Sequence, residues 1–189
     1  MTIALPETVW IPRDHDRRAE AQVREWLAAR TGIAAADLPL VRDAQDRPHL
    51  LGTLHDHDIN WTHSGDGLLL AFGSEVMLGV DLEFPHGRRR VAQIAHRYFT
   101  TQEQKWLESQ ADAAMRDRAF HRLWCAKEAV LKAHGRGLSF GLDRLQFVEA
   151  DGVLQLDRAD PELGDASLWH LREWSPAPGY LAALAWRPR

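Results

Sequence analysis

Hydrophobic positions along the chain recur with two different periods. Val76-Met77-Leu78-Gly79-Val80 is a short apolar run, and Asp81-Leu82-Glu83 extends it as a strand that ends polar. Side chains alternate along a strand, so Asp81 and Glu83 share one face while Val80 and Leu82 share the other. By contrast, Met115, Ala119, Leu123, Ala126 and Val130 recur at helical spacing. They predict a long helix over 112–133 with that stripe toward the core, ended by His134-Gly135-Arg136-Gly137. An earlier helix is predicted over 14–30, with Ala19, Val23, Trp26 and Leu27 inward and a stop at Gly32. Arg88-Arg89-Arg90 opens another that runs through Tyr98. Thr100 or Thr101 caps the next, and Glu103 completes a capping box if Thr100 is the cap. Short strands are expected at 8–11, 38–41, from 59 into the turn at 64–67, and at 68–72. The last third reads as strands only, at 145–149, 153–156, 168–174 and 180–186, with Asp151-Gly152 as a hairpin turn.

Each half therefore starts helical and finishes in antiparallel strands, with the break at Pro85-His86-Gly87. This predicts an α+β protein of two similar halves, 1–85 and 86–189, packed as one unit without a linker. The chain has 189 residues, a length that suits one sizeable domain or two small fused halves. A formal net charge of -4 argues against wholesale nucleic-acid binding. Cys125 is the only cysteine, which excludes an intrachain disulfide and a cysteine-based metal site. The first residues show no signal peptide, and no apolar run approaches the length of a membrane span. The expected compartment is the cytoplasm.

The candidate chemistry comes from combining the two periodic stretches. Glu128 and Lys132 are four residues apart and share a helix face. If that helix packs across the end of the 76–83 strand, Asp81, Glu83 and Glu128 converge with one ammonium. Three carboxylates held close together need a cation, and hard oxygen ligands suit Mg²⁺. Magnesium beside a lysine is equipment for holding a pyrophosphate during phosphoryl transfer. Each motif alone has an ordinary explanation: strand-end carboxylates are solvated, and a Glu-Lys pair four apart stabilises a helix. Their joint appearance is what points to a site. Thr62, His63 and Ser64 stand where a strand meets the Gly65-Asp66-Gly67 turn, with hydroxyls and an imidazole that could meet an anion. His55 and His57 invite a metal reading but lack further spaced ligands.

In order along the chain, Arg47-Pro48, Trp61-Thr62-His63-Ser64-Gly65, Gly79-Val80-Asp81-Leu82-Glu83, Trp124-x-x-Lys127-Glu128-Ala129-x-x-Lys132 and Gly135-x-Gly137-Leu138 closely resemble the Sfp-type (surfactin-synthetase type) 4'-phosphopantetheinyl transferases. The resemblance covers roughly residues 47–147 well and the strand-rich tail loosely. It implies transfer of the phosphopantetheine arm of coenzyme A to a serine of an acyl or peptidyl carrier protein, releasing adenosine 3',5'-bisphosphate. It also implies a pseudodimer of two α+β halves with coenzyme A in the cleft between them. Both cleft walls would come from one chain, so a monomer suffices.

By position, Asp81, Glu83 and Glu128 resemble the family's Mg²⁺-binding carboxylates. Glu128, or a water it holds, is a candidate base for the carrier serine, although a metal beside it would keep it a weak one. Lys132 resembles the residue that steadies the pyrophosphate. Thr62 and His63 resemble a Ser/Thr-His pair near the 3'-phosphate and adenine side of coenzyme A, and Arg47 is expected near the nucleotide. The longer, basic N-terminal lead of typical members is largely missing here, and Arg13, Arg17 or Arg18 are candidates to replace it. Arg88, Arg89, Arg90 and Arg97 are expected to dock the acidic helix of a fatty-acid, polyketide or nonribosomal-peptide carrier. Lys127, about 100° round the helix from Glu128, is expected to matter less to turnover than Lys132. The competing readings are a non-catalytic carrier-protein or coenzyme-A binding module and a Mg²⁺-dependent phosphohydrolase.

Overall fold

A computed structural model of the chain describes residues 4–85 and 91–189. Two antiparallel three-stranded sheets organise it. The first contains β1 (Glu7–Pro12), β4 (His57–Ser64) and β5 (Gly67–Ser74) in the order β1-β5-β4. The second contains β6 (Val76–Glu83), β9 (His170–Trp174) and β10 (Leu181–Pro188) in the order β6-β10-β9. The helices are α1 (Ala19–Thr31), α2 (Val91–Tyr98), α3 (Thr101–Glu108) and α4 (Ala113–His134). Two small hairpins complete the framework, β2 (Leu40–Arg42) with β3 (Pro48–Leu50) and β7 (Leu145–Ala150) with β8 (Val153–Ala159).

Alternation along the strands builds three cores, and these stack the elements in layers. Leu68, Leu70 and Phe72 of β5 face α1, where Val23 and Leu27 are fully buried. Leu69 and Ala71, on the other face of β5, meet Leu78, Val80 and Leu82 of β6 and Leu184 of β10 between the sheets. Leu181, Ala183 and Ala185 of β10 then pack on α4, through residues such as Ala126, Ala129 and Val130. The layers run α1, first sheet, second sheet, α4, each buried by the period its sequence carries. The protein is α+β, as its sequence pattern predicts.

The sheets also meet edge to edge, through side chains. Asp58 Oδ2 accepts from the amide of Leu78 at 2.9 Å, Asn60 Oδ1 from Val80 at 3.1 Å and Ser64 Oγ from Phe84 at 3.0 Å. Alternate polar residues of β4 thus satisfy the outer edge of β6, which would otherwise expose unpaired amides. Thr62 is the polar residue this series skips, and it serves the site instead.

Most predicted elements are present, with informative differences. The capping box at α3 forms: Thr100 accepts from Glu103 N, and Glu103 accepts from Thr100 N. The first helix begins at Ala19 rather than residue 14, because Asp14 takes the amide of Asp16 and holds a turn ahead of the helix. Met115, expected in the core, is 50% exposed, since the opening residues of α4 stand clear of the buried stripe that begins at Ala119. β6 precedes the expected break at residue 85, yet it pairs with β10 near the end of the chain. No helix among the described residues is long and apolar enough to cross a membrane.

Candidate functional site

Gly79 sets how closely α4 approaches β6. A Cβ at that position would lie 2.2 Å from Ala129 O and 2.3 Å from Ala133 N. Only glycine lets the helix backbone lie this close, on the strand face that Asp81 and Glu83 share. The helix is held at its far end by Arg47, whose Nε donates to Lys132 O at 3.2 Å and Ala133 O at 3.1 Å. Its Nη2 donates to Asp58 at 2.6 Å, a buried ion pair that connects the helix end to the β4–β6 seam. Gly135, at φ 91°, turns the chain out of α4 against the Arg47 stem.

The result is a contact between strand and helix. Lys132 Nζ lies 2.6 Å from Asp81 Oδ1 and donates to Thr62 Oγ1 at 3.1 Å. Burial opposes the ammonium, but Asp81 first and Glu128 further off hold its pKa above the ordinary lysine value. Asp81 Oδ2 is buried without a hydrogen-bond donor. The Cys125 thiol donates to Leu181 O at 3.7 Å, and burial first, then the charges of Asp81 and Glu83, push its pKa well up and keep it protonated. Glu83 and Glu128 are both buried. His121 Nδ1 is 4.0 Å from Glu83, and His121 Nε2 is 3.8 Å from Asp117.

The predicted site residues therefore fall into groups. Asp81, Lys132 and Thr62 meet directly, while Glu83 lies two residues further along the same strand face and Glu128 one helical turn before Lys132. Among the described residues no three His, Cys, Asp or Glu side chains are gathered closely enough to hold a metal as they stand. His63 faces away from Thr62, as strand alternation requires, and shares a hydrogen bond of 3.1 Å with Arg13. Burial first, then Arg13 and Lys132, lower its pKa, so the imidazole is neutral near pH 7. Of the three N-terminal arginines proposed to replace the missing lead, Arg13 is the one beside His63; Arg17 pairs with Glu25. Arg97 lies over the Tyr98 ring at 5.2 Å. Arg88, Arg89 and Arg90 lie outside the described residues.

A cavity of about 200 Å³ opens at the Lys132 end of the site, lined by Arg42, Arg47, Asn60, Trp61, Lys132 and Gly135 among others. Arg42, which the sequence reading did not single out, lies 5.0 Å over the Trp61 ring. The missed signal was the odd-numbered face of β4, where Trp61 sits outside the polar series 58, 60 and 64. Lys127 is displaced from any such role: it is fully buried, 2.8 Å from Glu103, and donates to Leu142 O and Leu145 O.

The profile of the 4'-phosphopantetheinyl transferase superfamily matches residues 77–185, a stretch that holds Asp81, Glu83, Glu128 and Lys132. Over 184 residues the chain is 35% identical to a candidate 4'-phosphopantetheinyl transferase of Synechocystis sp., covering 93% of this chain and 73% of that one. It is 30% identical over 163 residues to the 4'-phosphopantetheinyl transferase Sfp of Bacillus subtilis, covering 86% of this chain and 69% of the other. The human L-aminoadipate-semialdehyde dehydrogenase-phosphopantetheinyl transferase is 32% identical over 135 residues, which are 66% of this chain but only 43% of the human protein. With the profile spanning more than half its length and a relative 35% identical over 93% of it, the chain belongs to the 4'-phosphopantetheinyl transferase superfamily.

Proposed function

We propose that this protein transfers the 4'-phosphopantetheine arm of coenzyme A to a serine of an acyl or peptidyl carrier protein, with magnesium as its metal, and that it works as a cytoplasmic monomer. The observation that carries the reading is the Lys132–Asp81 contact, 2.6 Å long and partly open to solvent, beside a buried Asp81 oxygen that no donor satisfies. Asp81, Glu83 and Glu128 are all buried on the facing sides of β6 and α4, and hard oxygen donors of that kind fit a small divalent cation. Asp81, Glu83 and Glu128 would hold it. When bound, the ion would neutralise charge on the pyrophosphate as phosphorus is transferred.

The residues of the chain divide the remaining work. Lys132, a point charge on a flexible stem, would turn from Asp81 toward the pyrophosphate as substrate enters. The serine oxygen attacks the phosphorus that bears pantetheine, and adenosine 3',5'-bisphosphate leaves. Glu128, or a water it holds, would take the serine proton. His63 with Arg13 would receive the 3'-phosphate, while Arg42 and Trp61 offer a charged and a flat apolar wall to the nucleotide. Arg47, whose three nitrogens all donate within the protein, would support that wall more than grip the ligand. The cleft between halves 1–85 and 86–189 would hold coenzyme A, and Arg97, with Arg88, Arg89 and Arg90, would meet the carrier.

The test is to incubate the protein with coenzyme A, Mg²⁺ and a panel of apo carriers and to weigh the carrier. A gain of one phosphopantetheine supports transfer. Coenzyme A breakdown without a change in the carrier would identify a hydrolase, and binding without either change a non-catalytic module.

A further inference from the structure

A cavity of about 470 Å³ lies apart from the nucleotide side. It runs between the first half of α4 and β9, and continues into a second of about 180 Å³ that shares Arg118, Ser175 and Leu181 with it. Together they form one trough. Its floor connects to the site in two ways. Leu181 is the cross-strand partner of Glu83, and Cys125, whose thiol donates to Leu181 O at 3.7 Å, lines the inner wall. The trough thus ends one side chain from the carboxylates, at the end of the site opposite the cavity that Lys132 lines.

Its lining is mixed in charge, with Arg118, Arg122 and Arg172 beside Asp117 and Glu173. Arg122 is neutralised, donating to Glu149 at 2.5 Å and Glu173 at 2.8 Å. Arg118 and Arg172 have no carboxylate partner among the described residues. Arg172 lies 5.0 Å over the Trp174 ring, and Arg118 is exposed on α4. The rim adds apolar surface: Val153 is 48% exposed, and Met115, a helix-surface neighbour of Arg118, is 50% exposed. Unpaired arginines, a tryptophan and exposed aliphatic side chains around one depression are the composition of a protein-binding surface that favours an acidic partner.

We propose that this trough is the docking surface for the acidic helix of the carrier protein, with Arg118 and Arg172 meeting its carboxylates and Trp174, Val153 and Met115 its apolar side. The proposal rests on the transfer reading above and adds contact residues other than Arg88, Arg89, Arg90 and Arg97. It also gives each of the two substrates its own approach: coenzyme A from the Lys132 end, the carrier from the Leu181 end.

The test is an Arg118→Glu/Arg172→Glu double variant, with Trp174→Ala as a second, uncharged probe. Calorimetry would measure binding of an apo carrier whose acceptor serine is replaced by alanine, and separately binding of coenzyme A. The double variant is expected to bind the carrier at least tenfold more weakly, and Trp174→Ala several-fold more weakly, with coenzyme A affinity unchanged. Wild-type carrier binding should weaken with added salt, since exposed charges are screened over about 8–10 Å at physiological ionic strength. A folded double variant, checked by circular dichroism, that binds the carrier within twofold of wild type overturns the docking surface. So does a selective loss of coenzyme A binding, which would give the trough to the pantetheine arm. If the wild-type protein modifies no carrier in the panel, the transfer reading falls and the docking surface falls with it; normal wild-type transfer with an indifferent double variant overturns the trough alone.

Discussion

Two lysines of α4, five residues apart, each meet a buried carboxylate, and they do opposite things. Lys127 and Glu103 lie 2.8 Å apart with both side chains fully buried. Everything around them is satisfied: Lys127 donates to two further carbonyls, and Glu103 accepts from the amides of Thr100 and Phe147. Lys132 and Asp81 are closer, at 2.6 Å, yet the lysine side chain is 27% exposed and Asp81 keeps an oxygen without a donor. A sealed and satisfied pair can only hold α3, α4 and β7 together. An open pair with an unmatched acceptor is free to change partners. Bond length does not separate structure from function here; the completeness of the surroundings does.

The comparison can be attacked first at Gly79, which keeps both pairs on one helix in register with the sheet. Gly79→Ala forces a methyl into the α4 backbone, and its cost should exceed the roughly 1–3 kcal/mol usual for overpacking. Denaturant unfolding should show that loss, and transfer should fall with it. Next in size, Lys127→Met leaves Glu103 buried and unpaired, at a cost of about 3–5 kcal/mol. The thermal midpoint should drop, while whatever protein remains folded turns over with a nearly normal kcat. Lys132→Met should do the reverse. Its stability loss should be the smaller of the two, since Lys132 is 27% exposed and water can reach the carboxylate it leaves, while kcat falls on the order of 10²-fold, the scale of one lost contact to developing charge. Equal melting losses for the two lysine variants would erase the distinction drawn above.

Smaller again, Thr62→Val keeps the shape and removes the hydroxyl that accepts from Lys132, a loss of about 1 kcal/mol, or roughly fivefold in rate. The finest probe is pH. The His63 pKa is lowered in the folded protein by burial, Arg13 and Lys132, so the unfolded chain takes up this proton first as pH falls. Any stability tied to the neutral ring is present above the unfolded value near 6.5 and is lost as pH falls through the lower folded value. An NMR titration should find the His63 midpoint below 6.5, moving upward when adenosine 3',5'-bisphosphate is added. A midpoint indifferent to that nucleotide would separate His63 from the phosphate.

Much of this was legible before the fold was known because it is local. The facing of Asp81 and Glu83 away from Val80 and Leu82 follows from strand alternation, and Thr100 with Glu103 announces its own cap. The family resemblance carried by the spaced motifs agrees with the profile match over residues 77–185. The occupations of Arg47 and Lys127 were not legible. Their partners lie far along the chain, at Asp58, Ala133, Glu103 and Leu145, and nothing in a motif tells a buried cation from one that meets a ligand.

By itself, then, the sequence determined the periods, the caps, the turn glycines and the residue types able to handle a pyrophosphate, because each depends on neighbours within a few positions. Only the tertiary structure decided which lysine is sealed and which is open. It alone set the edge of β6 against the side chains of Asp58, Asn60 and Ser64, and brought Arg118 and Arg172 to one trough beside Glu83. Those outcomes depend on how closely α4 lies on β6 and on which strand ends beside which. Long-range packing fixes that geometry through backbone contacts such as those at Gly79, and residue type alone does not encode it.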